Sequence, residues 1–223
     1  MYAHLDAIEL FLREAPIIHL SKNSGGGGHP SYVATFSGGV SAILKFEDEV
    51  ADGPMMVRRE AAAWSITRAL GWDDLVSVTV LRQAPSATTG VDVTASVQVI
   101  WTRAEFLGDA TLFPDEDVWR AAAFDALICA TDRGGNNWMT FDKAGTPRLK
   151  LIDHGHAFGP PGRAPGSEFY AARQGQRLPA YVQQPFEQLA ENWPSELAEL
   201  PQIEINGVAS RLMQVITDGV LTV

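Results

Sequence analysis

Two short stretches hold the residues best suited to chemistry. Thr131-Asp132-Arg133-Gly134-Gly135-Asn136-Asn137-Trp138 sits between a helical pattern and an apolar run, and reads as a loop. Asp132 and Asn137 stand five residues apart, an offset at which a tight loop aims a carboxylate and an amide oxygen into one small volume. Sixteen residues beyond Asn137, Leu151-Ile152-Asp153-His154-Gly155 delivers a second carboxylate at the end of an apolar strand, and Gly155 permits a turn after it. A hairpin joining the two stretches would set Asp153 beside Asn137. Two hard oxygen donors together with phosphate oxygens suit Mg²⁺, which takes few protein ligands. A carboxylate left off the metal can orient or deprotonate an attacking hydroxyl. Asp132 as base, with Asn137 and Asp153 on the metal, is the division of labour that phosphoryl transfer needs.

The N-terminal half offers complementary parts. Gly25 to Gly28 lie between two strand-like runs, where the backbone N–H groups of Gly26, Gly27 and Gly28 can approach phosphates. Lys45 ends the apolar run Ala42-Ile43-Leu44, and Glu60, fifteen residues later on the next helical pattern, is placed to pair with it. Singly, each feature has a blander reading: a loop cap for the Asp–Asn spacing, a turn for the glycines, an exposed strand end for Lys45, a solvated charge for Glu60. Their joint occurrence carries the chemistry. His154 and His156 read as structural, because no third ligand converges on them. Asp125, inside an apolar helical pattern, reads as a brace for the loop that follows. Cys129 reads as core, with no basic residue near it in sequence. Trp64, Trp72 and Trp138 read as packing.

The elements that must position these groups change character along the chain. Helical pattern over Leu5–Glu14, ended by Pro16, precedes strand-like runs at 17–21, 32–36 and 40–46, with Ser37-Gly38-Gly39 as a hairpin signal. A helix over 57–70 ends at Gly71, and further strands are expected at 76–81 and 91–101. After that, helix is expected over 115–130, short strands at 138–141 and 149–152, a Pro/Gly-rich loop over 159–166, and helix over 180–200 and 208–221. The expectation is an α+β fold of two lobes around a cleft, a β-rich N-lobe over 1–101 and a mainly helical C-lobe over 102–223.

Bulk properties narrow the partners. The chain has 223 residues, 46% of them hydrophobic, and a formal charge of −10, which disfavours nucleic acid and anionic membranes as general partners. No run approaches the about 18 apolar residues of a membrane helix. One cysteine allows no internal disulfide, and with no signal-like N-terminal pattern the expected location is the cytoplasm.

Asp132-Arg133-Gly134-Gly135-Asn136-Asn137-Trp138 and Ile152-Asp153-His154-Gly155-His156-Ala157-Phe158 resemble motifs of the phosphatidylinositol 3-/4-kinase superfamily, most closely its type II 4-kinase branch. Gly27-Gly28 through Tyr32-Val33, followed by Ala42-Ile43-Leu44-Lys45, is a weaker match. HipA-like kinases share the broad architecture. The resemblance implies a two-lobed protein-kinase-like fold using ATP and Mg²⁺. It implies Asp132 as catalytic base, Asn137 and Asp153 on the metal, Lys45 on the phosphates with Glu60 as its partner, and Gly26 to Gly28 over the phosphates. It also implies that backbone near Val99 to Trp101 meets adenine. The expected acceptor is a protein Ser/Thr hydroxyl. Phosphatidylinositol or a small polyol stands as the alternative, beside a nucleotide-binding pseudokinase scaffold and nucleotidyl transfer with ATP reversed. The oligomeric state is left open.

Overall fold

The computed structural model describes residues 3–24, 28–100, 104–105 and 109–222. The chain forms two compact units, Met1–Ala61 with Ser77–Trp101, and Ala62–Val76 with Thr102–Val223.

The first unit is built on a five-stranded antiparallel sheet. Its strands are β1 (Ile17–Lys22), β2 (Tyr32–Phe36), β3 (Ser41–Phe46), β4 (Thr79–Pro85) and β5 (Asp92–Val99), in the order β1-β2-β3-β5-β4. Period-two alternation builds its core face: Ala34, Phe36, Ala42, Leu44 and Phe46 are all buried. Gly38 and Gly39 turn β2 into β3 at φ of 91° and 80°, a conformation that suits residues without a Cβ. Helix α1 (Ala3–Glu14) buries Leu5 and Leu12. Arg82 on β4 donates to the carbonyls of Leu12 and Ala15 at 3.0 and 2.9 Å, so orphan acceptors at the end of α1 are met by a side chain. Helix α2 (Pro54–Ala69) contributes its first half to this unit, and the chain turns away at Gly71 with φ of 71°.

The second unit is mainly helical. Its centre is α3 (Asp115–Ile128), which is buried on all sides from Trp119 onward. It ends at Cys129, whose left-handed backbone (φ 51°) lets its N–H reach back to Ala126 and Asp125 carbonyls. A hairpin of β6 (Trp138–Lys143) and β7 (Thr146–Leu151) follows, turned at Ala144-Gly145 with both φ positive. Then come α4 (Glu168–Arg173), α5 (Ala180–Glu191) and α6 (Gln202–Asp218). The continuous helix expected over 180–200 is two pieces. It stops at Glu191, and Pro194, which has no N–H to give, precedes a short 3₁₀ turn over Ser195–Glu199. Among the described residues no helix is long and apolar enough to cross a membrane.

Charged groups also sit in the interior of this unit. Asp117 accepts from Arg148 Nε and Nη2, both at 2.7 Å, from Arg120 Nη2 at 2.6 Å and from the Leu149 N–H at 3.1 Å. Burial opposes ionisation, but these donors outweigh it and hold the Asp117 carboxyl below the usual carboxylate range. Asp74 closes the cluster by pairing with Arg120 at 2.8 Å.

Candidate active site

The β6–β7 ladder decides where two of the expected site residues fall. Trp138 pairs with Leu151, so the next rung outward sets Asn137 opposite Ile152, and the Ile152 N–H donates to the Asn137 carbonyl at 3.1 Å. Asp153 follows immediately. Its backbone is left-handed (φ 58°), an uncommon state for a residue with a Cβ, though Asp tolerates it better than most. The turn redirects the chain just past the strand, and Asp153 is half-buried.

The loop before β6 is tied to the same place. Asn137 Nδ2 donates to the Asp132 carbonyl at 2.8 Å, which also accepts from the Gly134 N–H at 2.8 Å. A carbonyl requires a donor, so this contact determines which end of the Asn137 amide faces it and leaves Oδ1 as a free-standing acceptor. The Asn137 amide oxygen and the Asp153 carboxylate, from neighbouring backbone positions, would offer two hard donors. Among the described residues no group of three or more His, Cys, Asp or Glu could hold a metal ion by itself. Such a sparse set fits Mg²⁺, whose remaining positions go to water and phosphate, better than it fits a dedicated cage. Asp132 is exposed, at the loop's outer edge.

Beneath the loop lies a buried brace. Arg133 Nε sits 3.1 and 3.2 Å from the two carboxylate oxygens of Asp125, and its Nη1 donates to the carbonyls of Asn137 (2.7 Å) and Ile152 (2.5 Å). Ser167 Oγ donates to Asp125 at 2.7 Å and accepts from the Tyr170 N–H, capping α4. Asp125 occupies the bracing position its place in an apolar helix suggests. Sequence reasoning missed Arg133 and Ser167; the available signal was an Arg inside a glycine-rich loop, directly after the first acidic residue.

In the first unit, Lys45 Nζ and Glu60 Oε1 are 2.5 Å apart, with side-chain exposures of 15% and 3%. The β3 alternation places Lys45 between buried Leu44 and Phe46, and Glu60 lies on α2. Gly28 is exposed, with open space where a Cβ would stand. Past it, the Asn23 N–H donates to the Ser31 carbonyl at 2.8 Å and continues the β1–β2 ladder toward the glycines. Gly26, Gly27 and Trp101 lie outside the described residues. Val99 ends β5 opposite Ala42, and its N–H already donates to the Val78 carbonyl at 3.0 Å.

His154 is buried, edge-on to the Phe124 ring at 5.8 Å. The Thr131 hydroxyl donates to the His156 carbonyl at 2.8 Å. Cys129 is core, as expected, but its surroundings differ from the sequence reading. Burial pushes its thiol up, while Arg211 and Arg163, both remote in sequence, pull the other way.

No protein-family model matches the chain, and no curated protein matches it by sequence. Solved structures do. The chain is similar to the Golgi casein kinase, with a TM-score of 0.69 at 16% identity over 99% of this chain and 77% of that one. It is similar to hydra Fam20, solved with sugar, at 0.63 and 12% identity over 98% and 87%. It is also similar to the Helicobacter pylori proinflammatory kinase CtkA, at 0.52 and 13% identity over 92% and 96%. These likenesses define the class: a two-lobed protein-kinase-like fold, with a β-rich part followed by a mainly helical one. The narrower resemblance to phosphatidylinositol 3-/4-kinases is not separated out by them.

Proposed function

We propose that the chain is an ATP- and magnesium-dependent kinase that transfers the γ-phosphate to a hydroxyl. The observation that supports this reading is that the loop and the hairpin register bring the backbones of Asp132, Asn137 and Ile152 together, with Asp153 next in the chain. In the reaction the acceptor oxygen bonds to the γ-phosphorus, the bond to the β–γ bridging oxygen breaks, and ADP departs. Asp132, exposed and acceptor-only when ionised, orients the hydroxyl and takes its proton. Asn137 Oδ1 and the Asp153 carboxylate would hold the divalent ion, which would supply positive charge to offset that of the phosphates. Lys45, held by Glu60, contacts the phosphates, and the N–H groups of Gly26, Gly27 and Gly28 cover them. The backbone from Val99 to Trp101 takes adenine. The first unit, 1–61 with 77–101, thus serves as the nucleotide-holding lobe, and the second, 62–76 with 102–223, as the catalytic lobe.

The fold supports this reading. A similar Golgi casein kinase structure carries Mn/ADP, which favours a metal–nucleotide site of the same kind. For the acceptor we favour a protein Ser/Thr hydroxyl: the net charge of −10 opposes an anionic membrane surface, and one of the similar structures is of a kinase named for a protein. The motifs shared with type II phosphatidylinositol 4-kinases keep that lipid, or a small polyol, as the competing acceptor. A cytoplasmic location belongs to the same reading, since the single cysteine is buried and unpaired.

The test is γ-labelled ATP with and without Mg²⁺, offered to lysate protein and to phosphatidylinositol vesicles, beside Asp132→Ala. Label on protein, abolished by the substitution and by chelation, is expected. Nucleotide binding without any transfer would mark a pseudokinase scaffold, and a product heavier by AMP would replace the reaction with nucleotidyl transfer.

A further inference from the structure

We propose that Arg133 is the positioning residue of the metal site, with Asp125 as its fixed counter-charge; this rests on the kinase reading of Asn137 and Asp153. The two expected metal-holding residues flank different strands of a hairpin at its open end. Nη1 of a single guanidinium reaches the backbone of both. It donates to the Asn137 carbonyl at 2.7 Å and to the Ile152 carbonyl at 2.5 Å. The Ile152 carbonyl belongs to the peptide plane from which Asp153 starts. Holding that oxygen therefore sets the plane about which the Asp153 φ of 58° is measured. The Asn137 carbonyl also takes the Ile152 N–H at 3.1 Å, so both of its lone pairs are committed.

The guanidinium cannot drift. Its exposure is 1% and that of Asp125 is 0%, and a buried charge stays where its partner is. Asp125 belongs to the buried helix α3, and its second oxygen is held by Ser167. The Arg133 backbone is pinned as well: its N–H donates to the Gly166 carbonyl at 2.9 Å, and its carbonyl accepts the Glu168 N–H at 3.4 Å. Asp132, one residue earlier, inherits that position. Arg133 thus ties the base and both metal-holding residues to one frame without touching a substrate. A planar fork on a rigid counter-ion can hold an aligned set of acceptors; an ammonium, a point charge with rotatable donors, has no such plane.

The experiment compares wild type with Arg133→Lys, which keeps the charge opposite Asp125 and loses the fork. Mn²⁺ affinity is read by electron paramagnetic resonance in the presence of ADP. Binding of a fluorescent ADP analogue in EDTA is read separately, and folding by circular dichroism. Arg133→Lys is expected to weaken Mn²⁺ binding at least tenfold and leave metal-free nucleotide binding within twofold. It should raise the half-saturating Mg²⁺ for transfer by the same factor as the Mn²⁺ loss. A folded Arg133→Lys with Mn²⁺ affinity within twofold of wild type overturns the positioning role and leaves the kinase reading intact. Wild type that binds no Mn²⁺ with ADP overturns both. Where Arg133→Lys does not fold, Ser167→Ala decides: it removes one hydrogen bond to Asp125, and two- to fivefold weaker Mn²⁺ binding is expected. Unchanged affinity there overturns the proposal.

Discussion

Removing the Glu60 carboxylate should lower kcat/KM for ATP by about 10- to 150-fold while the protein stays folded. Glu60 and Lys45 meet at 2.5 Å, and their exposures of 3% and 15% place the pair well away from the screened surface regime in which ion pairs contribute little. A hydrogen bond to a charged partner is worth about 1.5–3 kcal/mol. With about 1.4 kcal/mol per factor of ten, that range gives the stated loss if Lys45 must be held in place to meet phosphate. Glu60→Ala removes the contact, and Glu60→Gln keeps an acceptor without the charge, so Gln should fall between Ala and wild type. The assay is steady-state label transfer over a range of ATP concentrations at fixed Mg²⁺, with circular dichroism on each variant. A folded Glu60→Ala that keeps kcat/KM within twofold would refute the reasoning, because an unanchored Lys45 would then serve as well as an anchored one.

The remaining expectations concern the second unit. Asp153→Gly and Asp153→Ala should both abolish metal-dependent transfer, but the Gly variant should be more stable than the Ala variant by about 1–2 kcal/mol in urea titration, since only Gly occupies φ of 58° without cost. Equal midpoints would remove the strain argument. Asp117→Ala should lower stability by about 1.5–3 kcal/mol, because it removes charged hydrogen bonds from Arg120 and Arg148 that Asp74 replaces only in part; a loss under about 0.5 kcal/mol in the same titration contradicts that. Burial pushes the Lys150 ammonium down from 10.5 to about 7, with Asp74 and Asp73 opposing. Unfolded lysine keeps its proton to higher pH, so between those values the unfolded chain binds more protons and stability should rise with pH. The urea midpoint should be higher at pH 9 than at pH 6.5, and Lys150→Met should flatten the difference.

What the sequence disclosed and what it hid follow from the range of the forces involved. The hairpin at 138–151 was legible because alternation and an Asp-Lys-Ala-Gly turn are local signals, and once the hairpin exists its register carries Asn137 to Ile152. The Lys45–Glu60 pair was legible for a similar reason: a strand end followed by a helix limits where an ammonium can reach. The brace was only half legible. Asp125 stood out as a charge in an apolar helix, but its partners lie 8 and 42 residues away, and only the packed fold selects them. Lys150, between Leu149 and Leu151 on β7, looked like an ordinary strand residue. Its Nζ in fact reaches the Val76 carbonyl at 3.2 Å and lies 5.9 Å from the Phe141 ring centre, contacts with no sequence signature. The break at Asn192-Trp193-Pro194 was visible as a proline yet was overridden by the helical composition on either side.

These features combine into one physical arrangement. The reactive side chains proposed on the loop and hairpin, Asp132, Asn137 and Asp153, are at least partly open to solvent. Their precision has to come from the backbone beneath them. Left-handed residues at Cys129, Asp153 and Phe158 turn the chain sharply at three points around the hairpin, each at some cost in strain. That strain persists because the peptide groups between the turns are held. The Phe158 N–H donates to the Ile128 carbonyl at 2.5 Å, Arg211 on α6 reaches the carbonyls of Leu127 and Gly159, and Arg133 holds those of Asn137 and Ile152. Buried arginines spent on main-chain carbonyls contribute little to stability when set against apolar replacements of the same volume. Their value lies in fixing peptide planes. A site that depends on two or three oxygens meeting a metal–phosphate complex tolerates a change of ligand chemistry no better than it tolerates a rotated peptide, so the arginines beneath the loop should be as sensitive to substitution as the carboxylates above it.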